Sequence, residues 1–298
     1  MSRRFLTMAA VALTGLLHPL SADAQLSRLR PQLEQRIAQH KGKVGLALID
    51  LANGERLSIR GEEQFPSASV IKLPILIELF HQIQKGPLRL TDPITLLAAD
   101  QRPGSGILQF LSTPHQLTVG DAATLMIIVS DNTATNLILD KVGIRNVNSR
   151  LDSLGISRTR LHAKVFMGAA TSVDTAGTRT WGLGVTTASD IAELLARLYR
   201  GQIVSDSASR QMVGILKDNF DDDRIARYLP AGASLANKTG SLDQSRHDCG
   251  IVFSRQKDYV LCVLTSENQD KSWRIDNDAS VLIADLARMT HTFMAAGT

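Results

Sequence analysis

Hydrophobic and polar positions change their spacing three times along the chain. Leu26 to His40 is charged and amphipathic, with the spacing of a surface helix; Val44 to Leu51 is then largely apolar, and Leu57 and Ile59 alternate with Arg56, Ser58 and Arg60. Asn53-Gly54 between the two runs is a tight-turn signal, so a β-hairpin is predicted. From Gly61 to about Asn219 the period lengthens to that of helices, most clearly over Val70 to Phe80, Asp121 to Val129, Asn132 to Val142, Val147 to Leu154 and Ser189 to Tyr199. Strand-like runs return only near the end, over Ser234 to Thr239, Gly250 to Ser254 and Tyr259 to Thr265, before a long helix from about Trp273 to Met294. The pattern predicts an α/β (α+β) fold in which an antiparallel five-stranded sheet flanked by helices is built by residues 25–60 and 221–298. An all-helical lobe over 61–220 is inserted between them, and a cleft is expected where the lobes meet. His162 to Thr187 holds four glycines without a clear period and is expected to form a surface loop or Ω-loop.

Residues 1–24 stand apart from this pattern. Arg3 and Arg4 precede an apolar run from Phe5 to Leu17 and a small-residue site, Ala22-Asp23-Ala24. This is the form of a cleavable signal peptide, because the run is shorter than the roughly 20 residues a membrane-spanning helix needs. The mature chain is expected to start near Gln25 as a periplasmic or secreted monomer without a membrane anchor. The 298 residues are 44% hydrophobic and 21% charged, which excludes a disordered chain. A net charge of +4 and an aromatic content of 4%, with no long basic run, argue against nucleic acid as a partner.

Only two cysteines occur, Cys249 and Cys262, in segments that look like the arms of one hairpin. Export permits a disulfide, but the spacing does not fix the register, so a bridge and two buried thiols both stay open. The seven histidines form no His-Glu-x-x-His pattern, and no zinc or other cofactor is expected.

Three short stretches carry candidate chemistry. Ser69-Val70-Ile71-Lys72 places a hydroxyl and an amine on one helical face at the start of an apolar helix. A lysine there is either a desolvated base or a side chain that reaches out to water. Pro74 is compatible with this helix only if the helix starts late or bends. Ser130-Asp131-Asn132 joins two helices and offers a hydroxyl and a carboxamide, although the same residues serve as a helix cap. Lys238-Thr239-Gly240-Ser241 closes a strand-like run with a cation and hydroxyls around a glycine, or equally with an edge-protecting lysine.

Each stretch is weak alone, but the three in this order resemble the penicilloyl serine transferases, and most closely the class A β-lactamases. The resemblance extends to the hairpin before Ser69, to Thr133-Ala134-Thr135-Asn136-Leu137, and to Leu229-Pro230-Ala231-Gly232 ahead of Lys238. It implies that Ser69 is the acylated nucleophile, Lys72 its base or proton relay, and Ser130 the proton donor to the leaving nitrogen. Asn132 would hold the substrate's amide, Lys238 and Thr239 its carboxylate, and the backbone N–H groups of Ser69 and Ser241 the oxyanion. Arg224 either stands near that carboxylate or is a solvated arginine after Asp221-Asp222-Asp223. The implied partner is a small β-lactam or a peptidoglycan-like acyl donor.

One element of the family pattern is missing. The resemblance calls for a loop glutamate after an Arg-Leu pair, yet Arg160-Leu161 leads into His162-Ala163-Lys164-Val165-Phe166, and no glutamate lies between Glu78 and Glu193. Asp174 and His247 are the candidate substitutes as deacylation base. Losing a general base typically costs about 10²- to 10⁴-fold. A small D,D-peptidase or penicillin-binding protein, an esterase, or a non-catalytic penicillin-binding module are the alternatives this opens.

Overall fold

The computed structural model describes residues 25–296, so the leader read over residues 1–24 lies outside the described residues. In chain order the strands are β1 (Lys43–Asp50), β2 (Arg56–Ile59), β3 (Phe65–Pro66), β4 (Pro93–Leu96), β5 (His115–Thr118), β6 (Arg160–Leu161), β7 (Gly184–Thr186), β8 (Ser234–Leu242), β9 (Ser245–Phe253) and β10 (Tyr259–Ser266). The helices are α1 (Arg30–Ile37), α2 (Lys72–Lys85), α3 (Val119–Ile128), α4 (Asn132–Val142), α5 (Ile144–Ser153), α6 (Gly168–Thr171), α7 (Thr175–Trp181), α8 (Ala188–Tyr199), α9 (Asp206–Lys217) and α10 (Asp278–Ala295).

The main sheet is antiparallel, five-stranded and ordered β2-β1-β10-β9-β8, so both ends of the chain contribute and β8 is left at an edge. Side chains alternate between its faces, as the two-residue period of a strand requires. Val44, Leu46 and Leu48 of β1 and Tyr259, Leu261 and Val263 of β10 pack in one core with α1 and α10. Ala47, Ile49, Val260, Cys262 and Leu264 point the other way, into a core shared with α8 and the helices of the middle of the chain. In that core Cys249 and Cys262 sit directly opposite each other, with Cα atoms 3.9 Å apart, and are joined as a disulfide.

Several boundaries differ from those the sequence predicts, for local reasons. The chain enters α2 through a 3-10 turn over Ala68–Ile71, so α2 begins at Lys72 and Pro74 falls in its first turn. The N–H that proline lacks has no intrahelical partner there, and nothing is lost. The long C-terminal helix starts at Asp278, where the Asn277 side chain accepts from the N–H groups of Ala279 and Ser280. Strands also occur before the chain's end: β3, β7 and β6 form a small sheet and β4 pairs with β5. These strands are two to four residues long, too short to leave a period in the sequence. The stretch read as a loop after His162 contains α6 and α7, and α9 begins at a Ser205 cap. No helix among the described residues is long and apolar enough to cross a membrane.

Candidate active site

The site is built where the edge of the main sheet meets the start of α2. Ala68, just before Ser69, adopts φ +44°, a left-handed conformation costly for a residue with a Cβ and one that recurs where backbone strain serves a site. The strand partner of this turn is β8, and Gly240 decides how close the two come. A Cβ at Gly240 would stand 3.0 Å from the Ala68 Cβ and 3.1 Å from the Ser69 nitrogen, tighter than ordinary packing. Glycine therefore lets the strand edge lie against the backbone of Ser69, leaving Ser69 itself half-buried.

Lys72 lies one helical turn beyond Ser69 and is fully buried. Its ammonium donates to the Ser130 carbonyl at 2.7 Å, the Ser130 hydroxyl at 3.1 Å and Asn132 Oδ1 at 3.0 Å. Burial holds this amine well below the ordinary lysine value, the positive charge of Lys238 pushes the same way, and only Asp131 opposes. Ser130 also has a left-handed backbone, φ +54°. Asp131 fixes that turn without facing the site: one carboxylate oxygen caps α4 at Ala134 N, and the other accepts from the N–H groups of Ile107 and Leu108. Asn132 donates through Nδ2 to the Pro103 carbonyl, so the 103–108 segment is tied to the same turn.

Along β8, Lys238 is almost wholly buried and its amine is brought down to about 8, chiefly by burial, with Arg224 adding to the shift against the carboxylates of Asp221 and Asp248. Arg224 is also buried. It donates to the Gly240 carbonyl at 3.1 Å, the His247 carbonyl at 2.6 Å and Ser241 Oγ at 2.6 Å, bracing the strand from beneath rather than standing solvated after the acidic run. Ser69, Ser130, Thr239, Gly240, Ser241 and Arg224 line one crevice of about 360 Å³. A second cavity of about 700 Å³ opens from the same serine toward Asn132, Val165, Phe166 and Trp181. Ser69 and Asn132 thus face a common space, and the strand end carrying Thr239 closes its other side.

The two substitutes considered for the missing glutamate are not brought there. Asp174 caps α7 by accepting from Gly177 N at 2.9 Å, and its other oxygen lies 3.5 Å from His162 Nδ1. His247 is enclosed in β9, its Nε2 donating to the Pro66 carbonyl and its Nδ1 accepting from Thr265 N. Burial, with Arg224 and Arg246 nearby, lowers it to about 4, so it stays neutral and neither nitrogen is free to take a proton. Instead the wall of the larger cavity carries Val165, whose backbone exchanges two hydrogen bonds with the Asn136 side chain, at 2.9 and 3.0 Å. No acidic side chain lines that cavity among the described residues. Sequence reasoning passes over Val165, and the one signal for it is Asn136, in the stretch after the second motif.

A family model described as "Beta-lactamase enzyme family" matches residues 28–294. The chain belongs to that family. Among relatives, it is 23% identical to beta-lactamase BRO-1 of Moraxella catarrhalis over 93% of this chain and 87% of that protein. Among solved structures, it is similar to a beta-lactamase from Sphaerobacter thermophilus, with 29% identity, TM-score 0.80, and coverage of 91% of this chain and 98% of that one. It is equally similar in fold to the penicillin-G acyl-enzyme complex of a leucine-to-glutamate variant of PBP-A, with 26% identity, TM-score 0.80, and coverage of 93% and 100%. Family membership makes the protein an enzyme of the beta-lactamase type and accounts for the sheet order and the three motifs in one crevice.

Proposed function

We propose that this protein opens β-lactam rings through an ester on Ser69 and releases the product slowly, because the cavity beside Ser69 carries Val165 and, among the described residues, no acidic side chain to serve as a base. The observation that carries the reading is the Lys72 amine, desolvated and bonded to both Ser130 and Asn132 one turn from Ser69.

In the neutral state Lys72 keeps two donors, for the Ser130 carbonyl and Asn132 Oδ1, and turns its one lone pair toward Ser69 Oγ. It takes the Ser69 proton as Ser69 Oγ bonds to the lactam carbonyl carbon. The oxyanion is held by the backbone N–H groups of Ser69 and Ser241, each such donor contributing about 3–4 kcal/mol in related chemistry. As the C–N bond breaks, the proton passes through Ser130 to the ring nitrogen, leaving an ester on Ser69 and an amine. Lys238 and Thr239 bind the substrate's carboxylate, with Arg224 holding the strand that carries them. Hydrolysis then needs a water deprotonated at the acyl carbonyl; its OH joins the acyl group and its proton returns to the serine oxygen. The apolar Val165 offers no help with that step, which supports a persistent acyl-enzyme.

A second reading, a penicillin-binding D,D-peptidase, is favoured by the same wall and by the likeness to PBP-A, a relative whose glutamate-bearing variant is an acyl-enzyme with penicillin-G. A chromogenic cephalosporin separates the two. Continuing colour at a slow, constant rate is expected for the hydrolase, one equivalent followed by arrest for the peptidase. Colour from Ser69→Ala equal to that of the parent protein defeats both.

A further inference from the structure

The polar crevice at Ser69 carries charge of both signs, at different depths. Its deep charges are cations. Lys238 is 1% exposed, and its ammonium makes a single bond, to the Thr239 carbonyl at 2.9 Å, so two of its three donors remain for a ligand. The Arg224 guanidinium, also buried, is spent on the strand. Nearer the solvent the crevice wall carries an anion instead. Asp221 lines it with a side chain 30% exposed, 3.7 Å from Arg224 Nη2, and the one hydrogen bond its carboxylate accepts is from the Asp223 N–H at 3.4 Å. A crevice meant for a simple anion gains nothing from such a carboxylate, since like charges close together repel.

Two aromatic rings share this wall. Phe220, next to Asp221 in sequence, is 72% exposed and Trp273 67%, and both line the same crevice. Phe220 is anchored: its N–H donates to the Ile128 carbonyl at 3.1 Å, at the end of α3 just before Ser130. Asp221 is held from the other side, its N–H donating to Asn219 Oδ1 while the Asn219 amide donates to Asn237 on β8. Ring and carboxylate are thus fixed between the Ser130 turn and the edge strand before a ligand binds, so little of the binding gain is spent on ordering them. Arg246, whose guanidinium lies 4.5 Å from the Trp273 ring, has Asp243 and Asp270 beside it to balance its charge. A carboxylate beside exposed π faces is the surrounding that recognises an ammonium or a pyridinium, because the faces attract the cation and the carboxylate neutralises it.

We propose that Asp221, with the rings of Phe220 and Trp273, is a subsite for a positive group on the leaving-nitrogen side of the substrate, so that the protein prefers zwitterionic β-lactams. The proposal rests on Ser69 being the acylated residue and Ser130 the proton donor, which puts the part of the drug beyond the ring nitrogen in this crevice. The drug's carboxylate then lies inward on Lys238 and Thr239, and its cation outward at Asp221. A drug with the carboxylate alone meets the same Asp221 as a repulsion.

The test uses two cephalosporins with the same thienylacetyl side chain and the same carboxylate, one carrying a pyridiniomethyl and the other an acetoxymethyl group on the leaving-nitrogen side. Second-order rates of adduct formation are followed by intact mass. Comparing the cationic-to-neutral ratio between the parent and Asp221→Asn cancels the drugs' own reactivities. Asp221→Asn is expected to lower the ratio about fivefold, slowing the pyridinium drug and speeding the acetoxy one, a divergence that a structural defect does not produce. Phe220→Leu, apolar but without a π face, is expected to lower it about twofold. Added salt is expected to shrink the parent's ratio toward that of Asp221→Asn. An Asp221→Asn ratio equal to the parent's, or both drugs slowed alike, overturns the subsite. No adduct with either drug overturns the Ser69 reading beneath it.

Discussion

A lysine without solvent is a different reagent from one on a surface. At Lys72 burial and the Lys238 charge both favour the neutral amine, so the rate of acylation is expected to rise with pH well below the 10.5 of an ordinary lysine. Lys238 sets the opposite limb. It must be cationic to hold a carboxylate, and affinity for an anionic β-lactam is expected to weaken as pH rises through about 8. A pH profile of acylation measured at low and at saturating drug separates the two effects, and an ascending limb centred at 10.5 contradicts the role of Lys72 as base. Val165 offers a gain rather than a loss. Because its main chain is clamped by Asn136 whatever its side chain, Val165→Glu should put a carboxylate on the cavity wall and shorten the acyl-enzyme's lifetime by about 10²-fold or more. Decay of the mass adduct measures it, and an unaltered lifetime leaves Val165 without a part in deacylation. Ser69, Lys72 and the Ser130-Asn132 pair are legible in the sequence because the roles proposed for them depend on short spacings. Val165 is not, since its place is set by a side chain 29 residues away. Asp174 looks like a base because it is the loop's only acid, but a helix start uses its carboxylate.

Among elements, the segment from β6 to β7 is tied to α4 at Val165 by a single polar side chain. Asn136 of α4 supplies both bonds to Val165, and the amide is almost completely buried. Asn136→Ala leaves a buried N–H and C=O without partners, a loss of about 1–3 kcal/mol for each unsatisfied group. Faster hydrogen exchange at Val165 and its neighbours is expected, with the five-stranded sheet protected as before; exchange rates that do not change show that the segment is held by something else. The helices α3, α4, α5 and α8 are predicted to within a few residues, since burial of one face sets their period, whereas α9 is not singled out by the sequence. The starts of α2 and α10 are less visible, because α2 starts in a 3-10 turn and α10 waits for the Asn277 cap. The register of β9 against β10, which joins Cys249 to Cys262, depends on pairings that spacing alone does not reveal.

For the molecule as a whole, the fold serves to bring three distant stretches to one crevice. A sheet that uses both ends of the chain leaves β8 at its edge, and the helical middle presents Ser69 and Ser130 to that edge. The shape complementarity depends on Gly240, which lets the strand and the turn carrying Ser69 touch. In the function proposed above, these features together make the Ser69 hydroxyl nucleophilic toward a strained amide and hold the resulting ester. The most direct measurement is the intact mass of the protein after brief exposure to penicillin G, followed by peptide mapping. The prediction is one whole drug mass added per chain, on the peptide containing Ser69, persisting over many minutes and absent from Ser69→Ala. An unmodified parent protein with intact drug in solution, or the same adduct on the Ser69→Ala variant, contradicts it.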